Sequence, residues 1–208
     1  DWDDRVIYFG KTETTADLFV WANLTSGVGS QQAALGSSNV VDYIRGNTGL
    51  EQQNGGSYRN RSNALGDIAN SSPVYVGAPV NFNYHSYGWP EASSYKAHIA
   101  TYKMRQPLIY VGANDGMLHA FNGNNGTEIM AYVPKQMLTE SADLAAFASI
   151  DYQHKYYVDG SSVVFDAYIN GSWRSILLGS LGRGGDSLFA IDVSSPQALQ
   201  SNGATKVL

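Results

Sequence analysis

The sequence predicts an all-β fold in which short strands are joined by tight turns. Only 15% of the 208 residues are charged, whereas 22 are glycine and 14 are tyrosine. A helical bundle would contain more Ala, Glu, Lys and Leu, and a disordered chain would be more charged and less apolar. Apolar triplets that end in glycine also recur along the chain, which is typical of strands repeated in a meander.

The first predicted elements lie upstream of residue 78. Asn39 is a suitable N-cap for a helix over Val40–Arg45, and Gly46 is a suitable stop. The polar, glycine-containing segment 52–63 is predicted to be an exposed loop. Residues 72–77 form the first apolar triplet that ends in glycine, which predicts a short strand.

A helix and a three-stranded meander follow in the centre of the chain. Aromatic and aliphatic residues recur at helical spacing between Glu91 and Lys103. Strands are then predicted over Leu108–Val111, Met117–Phe121 and Thr127–Val133. The first two are joined by Asn114-Asp115-Gly116, a strong turn signal because Asp and Gly tolerate a positive φ.

The same pattern of strands and turns recurs downstream. Short helices are predicted after Pro134 and over Ser141–Phe147. Three further strands are predicted, over Val163–Ile169, Trp173–Leu178 and Leu188–Val193, and Lys206–Leu208 is similar to the start of another. The glycine-terminated triplets begin near residues 74, 109 and 176. Blade-type repeats of about 40–50 residues, each with four strands, are a known source of such a pattern.

Charge and cysteine content exclude several classes of function. A net charge of −5 and a pI near 5.2, with no basic run, provide no electrostatic footprint for nucleic acid. No apolar stretch reaches the roughly 18 residues of a membrane span, and residues 1–4, three of which are aspartate, are unlike a signal peptide. The sequence has no cysteine, which excludes disulfides, thiolate catalysis and zinc bound through cysteine.

Several ordered sequence blocks carry a family resemblance. The most specific is YVGANDGMLHAF at residues 110–121. The others, in order, are NRS at 60–62, LGDI at 65–68, SSPVYVG at 71–77, AYVP at 131–134, VDG at 158–160, LLG at 177–179 and AIDV at 190–193. Spread over about residues 39–196, these blocks resemble the C-terminal propeller domain of the PilY1 family, whose members are type IV pilus biogenesis and tip-adhesin proteins.

The resemblance implies a modified β-propeller of the seven-bladed type, with short helices inserted between blades. At roughly 40–50 residues per blade, this chain covers only about half of such a propeller. Residues 1–208 are therefore predicted to be part of one propeller domain, with residues 39–196 as the best-matched portion and residues 1–38 as an earlier blade.

The resemblance also implies a function without catalysis. The expected roles are support of pilus assembly, control of pilus retraction and hence of twitching motility, and adhesion. The expected partners are minor pilins or the pilus tip, and a host or abiotic surface, with no nucleic acid and no membrane span. The implied location is the bacterial cell surface, reached through the periplasm.

Two features of the family are not matched in this sequence. The calcium loop of the family is a run of alternating Asp residues, and no such run occurs here, so no cofactor is expected in this segment. Calcium is expected in a part of the parent protein outside these residues. Some relatives are integrin binders through Arg-Gly-Asp, whereas the nearest string here is Arg45-Gly46-Asn47.

An enzymatic alternative is kept open. Residues 111–121, followed by Gly126-Thr127, also resemble a repeat of the quinoprotein alcohol dehydrogenases, whose propellers bind pyrroloquinoline quinone and calcium. That repeat ends in a Trp, whereas residues 127–130 here are TEIM. The vicinal cysteines that many such enzymes place over the quinone are also missing. No catalytic or metal-binding residue is therefore assigned.

The remaining candidates are polar turn residues and aromatic residues. No histidine has a carboxylate at metal-ligand spacing, so all four are expected to be packed or hydrogen-bonded. The aspartates beside predicted turns, with Asn114-Asp115-Gly116 as the clearest case, are expected to bind turn amides. The aromatic cluster has two open interpretations, structural cover of the propeller edge or a partner-binding surface centred on Tyr84, Tyr87 and Trp89. Its members are Phe82, Tyr84, Tyr87, Trp89, Tyr95 and Tyr102.

Overall fold

Nine strands in two sheets dominate the structure, a computed structural model that describes residues 1–195. The strands are β1 (Ile7–Gly10), β2 (Ala16–Leu18), β3 (Val74–Val76), β4 (Leu108–Ala113), β5 (Met117–Asn122), β6 (Glu128–Val133), β7 (Val163–Ile169), β8 (Ser172–Ser180) and β9 (Leu188–Asp192). Every strand predicted within the described residues is present, with shifts of one or two residues at some ends. The predicted strand at Lys206–Leu208 lies outside the described residues.

The first sheet contains a four-stranded antiparallel meander, β3 to β6, in which each strand pairs with the next along the chain. Such a meander is the unit of a propeller blade. Buried residues occupy both faces of β4 and β5, because helices and loops pack on both sides of the sheet. A connection of about 30 residues separates β3 from β4 and carries all members of the aromatic cluster.

The N-terminal strands extend this same sheet. β1 pairs in parallel with β6, so that Ile7 lies opposite Ala131 and Phe9 opposite Val133, and β2 pairs antiparallel with β1. Residues 1–38, expected to form an earlier blade, therefore contribute two strands to the sheet of the β3–β6 meander. All four residues of β1 are buried, as is typical of a strand in parallel pairing. The assignment of the whole chain to one domain stays a prediction, as does the number of blades.

The second sheet is the antiparallel meander β7-β8-β9. Its first hairpin turns at Asn170-Gly171, where φ is 51° and 81° respectively. Positive φ at both central residues is the requirement of a type I′ turn, for which Asn-Gly is the preferred sequence. Leu177 and Ile191 on one face of this sheet belong to the same hydrophobic core as β1, β4, β5 and β6.

The helices are short. They are α1 (Gln31–Leu35), α2 (Ser38–Arg45) and α3 (Tyr95–Tyr102). The N-cap of α2 is Ser37, whose side chain accepts a hydrogen bond from the Val40 amide, so the assignment of Asn39 as N-cap is wrong. Ser and Asn are comparable N-caps, and sequence alone does not rank them two residues apart. Gly46 ends α2 at φ 114°, as predicted.

Three predicted helical segments are smaller than expected. Residues Ala92–Ser94 form a 3-10 turn ahead of α3, so the α-helix is shorter than the predicted range of 91–103. The segments Lys135–Leu138 and Leu144–Ala148 are also 3-10 turns. Among residues 1–195, no helix combines the length and the apolar character needed to cross a membrane.

Candidate functional site

Two of the sequence blocks that carry the family resemblance, at residues 65–68 and 110–121, meet around the turn between β4 and β5. The Asn114 side chain donates a hydrogen bond to Asp67 Oδ2 at 2.8 Å, and its Oδ1 accepts one from the Tyr157 amide at 3.0 Å. The Gly66 amide donates to Asp115 Oδ2 at 2.8 Å. Three segments that are far apart in sequence are therefore joined by the polar side chains of one turn.

Gly116 completes this turn with φ at 89°, a conformation that side chains with a Cβ rarely adopt. A Cβ at this position would lie 2.6 Å from Leu144 Cδ1. The predicted structural turn motif, Asn114 to Gly116, therefore lies in the interior of the fold. The side chains of Asn114 and Asp115 are fully buried there.

The other aspartates beside turns are also bound to turn donors. Asp159 accepts hydrogen bonds from the Asn70 backbone amide at 3.0 Å and from its side-chain amide at 2.7 Å. Asp192 accepts one from the Ser194 amide at 2.9 Å. These contacts match the structural interpretation of the aspartates.

His119 in β5 lies between two carboxylates. Its Nε2 is 3.1 Å from both Asp115 oxygens, and its Nδ1 is 2.7 Å from Glu128 Oε1. Arg5 binds Glu128 through two nitrogens, at 2.6 and 2.8 Å. We call Arg5, Glu128, His119 and Asp115 the buried charge chain. The expectation that His119 is hydrogen-bonded is confirmed.

Three of the four histidines have a carboxylate partner that the sequence spacing did not reveal. Besides His119, His98 Nε2 lies 3.3 Å from Asp166 Oδ1, and His154 Nε2 lies 3.0 Å from Asp67 Oδ2. The partners are distant in sequence or, for His119 and Asp115, lie across a tight turn. Spacing rules written for helices do not detect such pairs.

Charge complementarity shifts the pKa values along the buried charge chain. Burial alone would lower the pKa of His119, but the Asp115 and Glu128 carboxylates outweigh it and raise this pKa to about 9. Burial alone would raise the pKa of Glu128, but the hydrogen bonds from His119 and Arg5 outweigh it and lower this pKa to about 2. Burial alone would raise the pKa of Asp115, but His119, the Gly66 amide and Arg5 together outweigh it and lower this pKa.

We expect stability to depend on pH through these groups. The His119 contribution is complete below its usual pKa of 6.5 and is lost as pH rises through about 9. The Glu128 contribution is complete above its usual pKa of 4.5 and is lost as pH falls toward about 2. Urea unfolding should therefore give the highest free energy near pH 5–6.5. A His119→Gln variant should lose the decline between pH 6.5 and 9, and an unchanged decline in that variant would contradict the assignment.

A second buried polar cluster contains the residue types of a hydrolase. Asp166 Oδ1 accepts a hydrogen bond from Ser175 Oγ at 2.7 Å, and Tyr95 donates to its Oδ2 at 2.7 Å. His98 Nε2 lies 3.3 Å from Asp166 and 3.5 Å from Ser175. In a catalytic triad the Asp and the Ser contact opposite ring nitrogens of the His. Here both contact Nε2, so the arrangement satisfies buried polar groups and does not activate the serine.

The aromatic cluster is centred on Tyr84. Its ring stacks on Trp173 at 5.4 Å and on Phe82 at 5.5 Å, and it lies 5.0 Å from Tyr95. Trp173 belongs to β8, about 90 residues away in sequence, so the sequence provides no signal for this contact. Tyr95 of the cluster and Trp173 of the central strand β8 are both buried, and their ring centres lie 4.6 Å apart.

The outer members of the cluster are open to solvent. Tyr87 and Trp89 stack on each other at 4.8 Å with an interplanar angle of 12°, and they are 53% and 47% exposed. Phe82 is also exposed, at 39%. We call Phe82, Tyr84, Tyr87 and Trp89 the aromatic surface. The partner-binding interpretation of Tyr84, Tyr87 and Trp89 stays a prediction.

The string nearest to Arg-Gly-Asp is not presented at the surface. Arg45 is buried, and its guanidinium donates hydrogen bonds to the carbonyl oxygens of Phe19, Asp3 and Arg5. Burial lowers the pKa of this arginine, with nearby Arg5 as a further cause. Arg45 therefore holds the N-terminal segment against α2.

Within residues 1–195, the ligand atoms of the aspartates beside turns do not form a shared cluster. Within residues 1–195, the group of three acidic or histidine side chains with mutually close ligand atoms consists of Asp1, Asp3 and Asp4, all exposed. Exposed acidic side chains at one end of a chain are common without an ion. Asp67, Asp115, Asp159 and Asp192 do not converge on a common point.

Comparison with known proteins identifies the class of protein to which the chain is similar. A family profile described as the PilY1 beta-propeller domain matches residues 65–205, so strands β3 to β9 belong to a β-propeller domain. A type IV pilus biogenesis factor PilY1 homolog of Xylella fastidiosa is 42% identical over 200 residues, which is 96% of this chain and 16% of that protein. The type IV pilus biogenesis factor PilY1 of Pseudomonas aeruginosa is 36% identical over 207 residues, 92% of this chain and 17% of that protein.

The chain belongs to the PilY1 β-propeller domain family. It spans about a sixth of the length of these curated relatives. The crystal structure of the Pseudomonas aeruginosa PilY1 C-terminal domain is 38% identical in sequence, with a TM-score of 0.45, and the match covers 64% of this chain and 24% of that one.

Proposed function

We propose that this chain is a non-enzymatic part of a type IV pilus biogenesis factor and that it contacts a partner through the aromatic surface. The relatives named as such factors support the pilus assignment. The single observation that supports the contact is the exposed Tyr87–Trp89 stack on the long connection between β3 and β4. Tyr and Trp are the residues most enriched at the energetic centres of protein interfaces.

The surroundings of the stack support an interface. Tyr75 and Val80, each 66% exposed, line a cavity of about 180 Å³ together with Phe82. The apolar area therefore continues from the aromatic surface onto the edge strand β3. Soluble monomers rarely expose contiguous apolar patches of several hundred Å², and such patches mark contact sites.

In the parent protein this contact would serve pilus assembly, control of retraction and adhesion. Its partners would be minor pilins or the pilus tip, or a host or abiotic surface. The location would be the bacterial cell surface, after export through the periplasm. The net charge of −5 and the uncharged aromatic surface favour an apolar contact over an electrostatic one.

We expect the double substitution Tyr87→Ser and Trp89→Ser, made in the full-length parent gene, to reduce adhesion or surface piliation about tenfold or more, because two anchor side chains are lost. Adhesion assays, pilus counts and twitching assays on the bacterium that carries the gene measure the effect. Ile150→Ser is the matched control, since Ile150 is an equally exposed apolar residue outside the aromatic surface, at 56%. Wild-type behaviour of the double variant would refute the proposed contact.

The enzymatic alternative has weaker support. Glu128 lies in the stretch where the quinoprotein repeat ends in a Trp, and its carboxylate is bound by Arg5 and His119. A purified full-length parent without quinone absorbance and without dye-linked alcohol oxidation would agree with the non-enzymatic proposal.

We also propose that this segment has no tight calcium site. The aspartates beside turns each accept hydrogen bonds from protein donors, and a calcium ion requires six to eight converging oxygens. Calorimetry on the 208-residue chain should give a dissociation constant of about 1 mM or weaker. The full-length parent should bind more tightly if the family's calcium loop is present there. A micromolar site in the short chain would overturn this proposal.

A further inference from the structure

A cleft of about 290 Å³ lies on a part of the surface that the aromatic surface does not reach. The loop 59–67 forms one wall, and Phe147, Tyr152 and His154 form the other. No function described above uses this cleft. Its size is close to the lower end of ordinary ligand-binding clefts.

Arg59 dominates the chemistry of this cleft. Its guanidinium carbon lies 4.4 Å from the centre of the Tyr152 ring and 4.7 Å from that of Phe147. Its Nε donates a hydrogen bond to the Phe147 carbonyl oxygen at 3.2 Å. The side chain is thus held in one position before any ligand arrives, which lowers the entropy cost of binding.

The charge of Arg59 is not compensated within the described part of the chain. No carboxylate of residues 1–195 lies within 4 Å of its guanidinium nitrogens. The other ionisable groups of the cleft have partners, Arg61 with Glu51 at 2.9 Å and His154 with Asp67 at 3.0 Å. Within residues 1–195, Arg59 is therefore the arginine of the cleft that lacks a carboxylate partner.

A second donor in the cleft wall lacks a partner. Arg61 has a side chain that is only 4% exposed, and its Nη2 has no hydrogen-bond acceptor. Its other nitrogens bind Glu51 and the Tyr43 carbonyl oxygen. Two arginines without full complements of acceptors indicate a ligand that brings acceptor oxygens.

We propose that this cleft binds an acidic side chain of a protein partner, with Arg59 as the anchor. A carboxylate matches the planar guanidinium and can accept two hydrogen bonds from it. A sugar acid would need an open aromatic face for its ring, and Arg59 already covers Phe147 and Tyr152. The exposed Ser62 and Asn63 provide polar groups for the peptide backbone around the acidic residue.

The test is a titration of the isotope-labelled 208-residue chain, followed by NMR. The probes are acetyl-Gly-Asp-Gly-amide, its Asn counterpart and glucuronate. The Asp peptide should shift the amide signals of residues 59–67 and 152–154, and the Asn peptide should not. Arg59→Gln should weaken binding of the Asp peptide about tenfold or more, because a charge-assisted pair is lost. Arg183→Gln is the matched control, since Arg183 also rests on a tyrosine, Tyr156 at 5.4 Å, outside the cleft.

Several results would overturn the proposal. The Asp and Asn peptides could bind equally well, or glucuronate could bind more tightly than the Asp peptide. The Arg59→Gln variant could bind the Asp peptide as tightly as wild type does, or no probe could shift an amide signal at about 10 mM. If Arg59→Gln does not fold, Arg59→Lys keeps the charge and should bind more weakly than wild type but more tightly than Arg59→Ala. The aromatic surface shares no residue with the cleft, so either result leaves the adhesion test unaffected.

Discussion

Replacing His119 by alanine should lower the free energy of unfolding by about 3–5 kcal/mol, because it leaves the Asp115 carboxylate buried without its counter-charge. His119 and Asp115 are both fully buried, and Asp115 would retain only the amides of Gly66 and Met117 as donors. Because one kcal/mol corresponds to about 2–4 °C in a chain of this size, Tm should fall by about 10 °C. Urea and thermal unfolding followed by circular dichroism measure both quantities.

His154→Ala is the matched control. It also removes a histidine from an aspartate, but His154 and Asp67 have side chains that are 47% and 53% exposed. Water replaces the lost contact at such a site, and the expected loss is about 0–1 kcal/mol. Equal effects of the two substitutions would mean that the buried charge chain contributes no more than a surface pair.

Gly116→Val should destabilise the fold by about 3–5 kcal/mol, through two separate causes. The first is the positive φ of 89°, which a β-branched residue adopts only with strain. The second is the contact of the new Cβ with Leu144, which would be 2.6 Å before any movement. The turn also holds Asn114 and Asp115, so its distortion would loosen the hydrogen bonds to Asp67, Tyr157 and Gly66.

Gly126→Val separates the two causes. Gly126 has a similar φ of 76°, and a Cβ there would meet nothing within 4 Å. Only the backbone strain applies, and the expected loss is about 1–2 kcal/mol. Chemical denaturation of both variants gives the comparison. If Gly116→Val unfolds at the same urea concentration as wild type, the importance assigned to this turn is wrong.

The strands and turns were predictable because their signals are local. β7 has the predicted bounds, Val163–Ile169, since an Asn-Gly turn limits one end and β-branched residues fill the strand. The parallel pairing of β1 with β6 was not predictable, because no local pattern connects residues separated by more than 120 positions. Hydrophobic periodicity describes which face is buried, and it does not identify the partner strand.

The aromatic surface and the cleft at Arg59 also depend on contacts between residues far apart in sequence, which local patterns do not predict. Tyr87 and Trp89 were identifiable from the density of aromatic residues in one segment. Trp173 of β8 packs against Tyr84 and Tyr95 of the aromatic cluster, and nothing in the sequence indicated these contacts. The cleft at Arg59 was missed, because segment 52–63 is polar and glycine-containing, features typical of an exposed loop. Most of that loop is exposed, but the Arg61 side chain is buried against Tyr43.

The parallel pair of β1 and β6 joins residues that lie more than 120 positions apart in the sequence. Until β6 has formed, the apolar strand Ile7–Gly10 has no partner within its own sheet except β2. The β3–β6 meander is built from contacts between neighbouring strands, which form faster than long-range pairs. We therefore expect β1 to join this sheet after the meander has formed, and until then the chain exposes an unpaired apolar edge that favours aggregation.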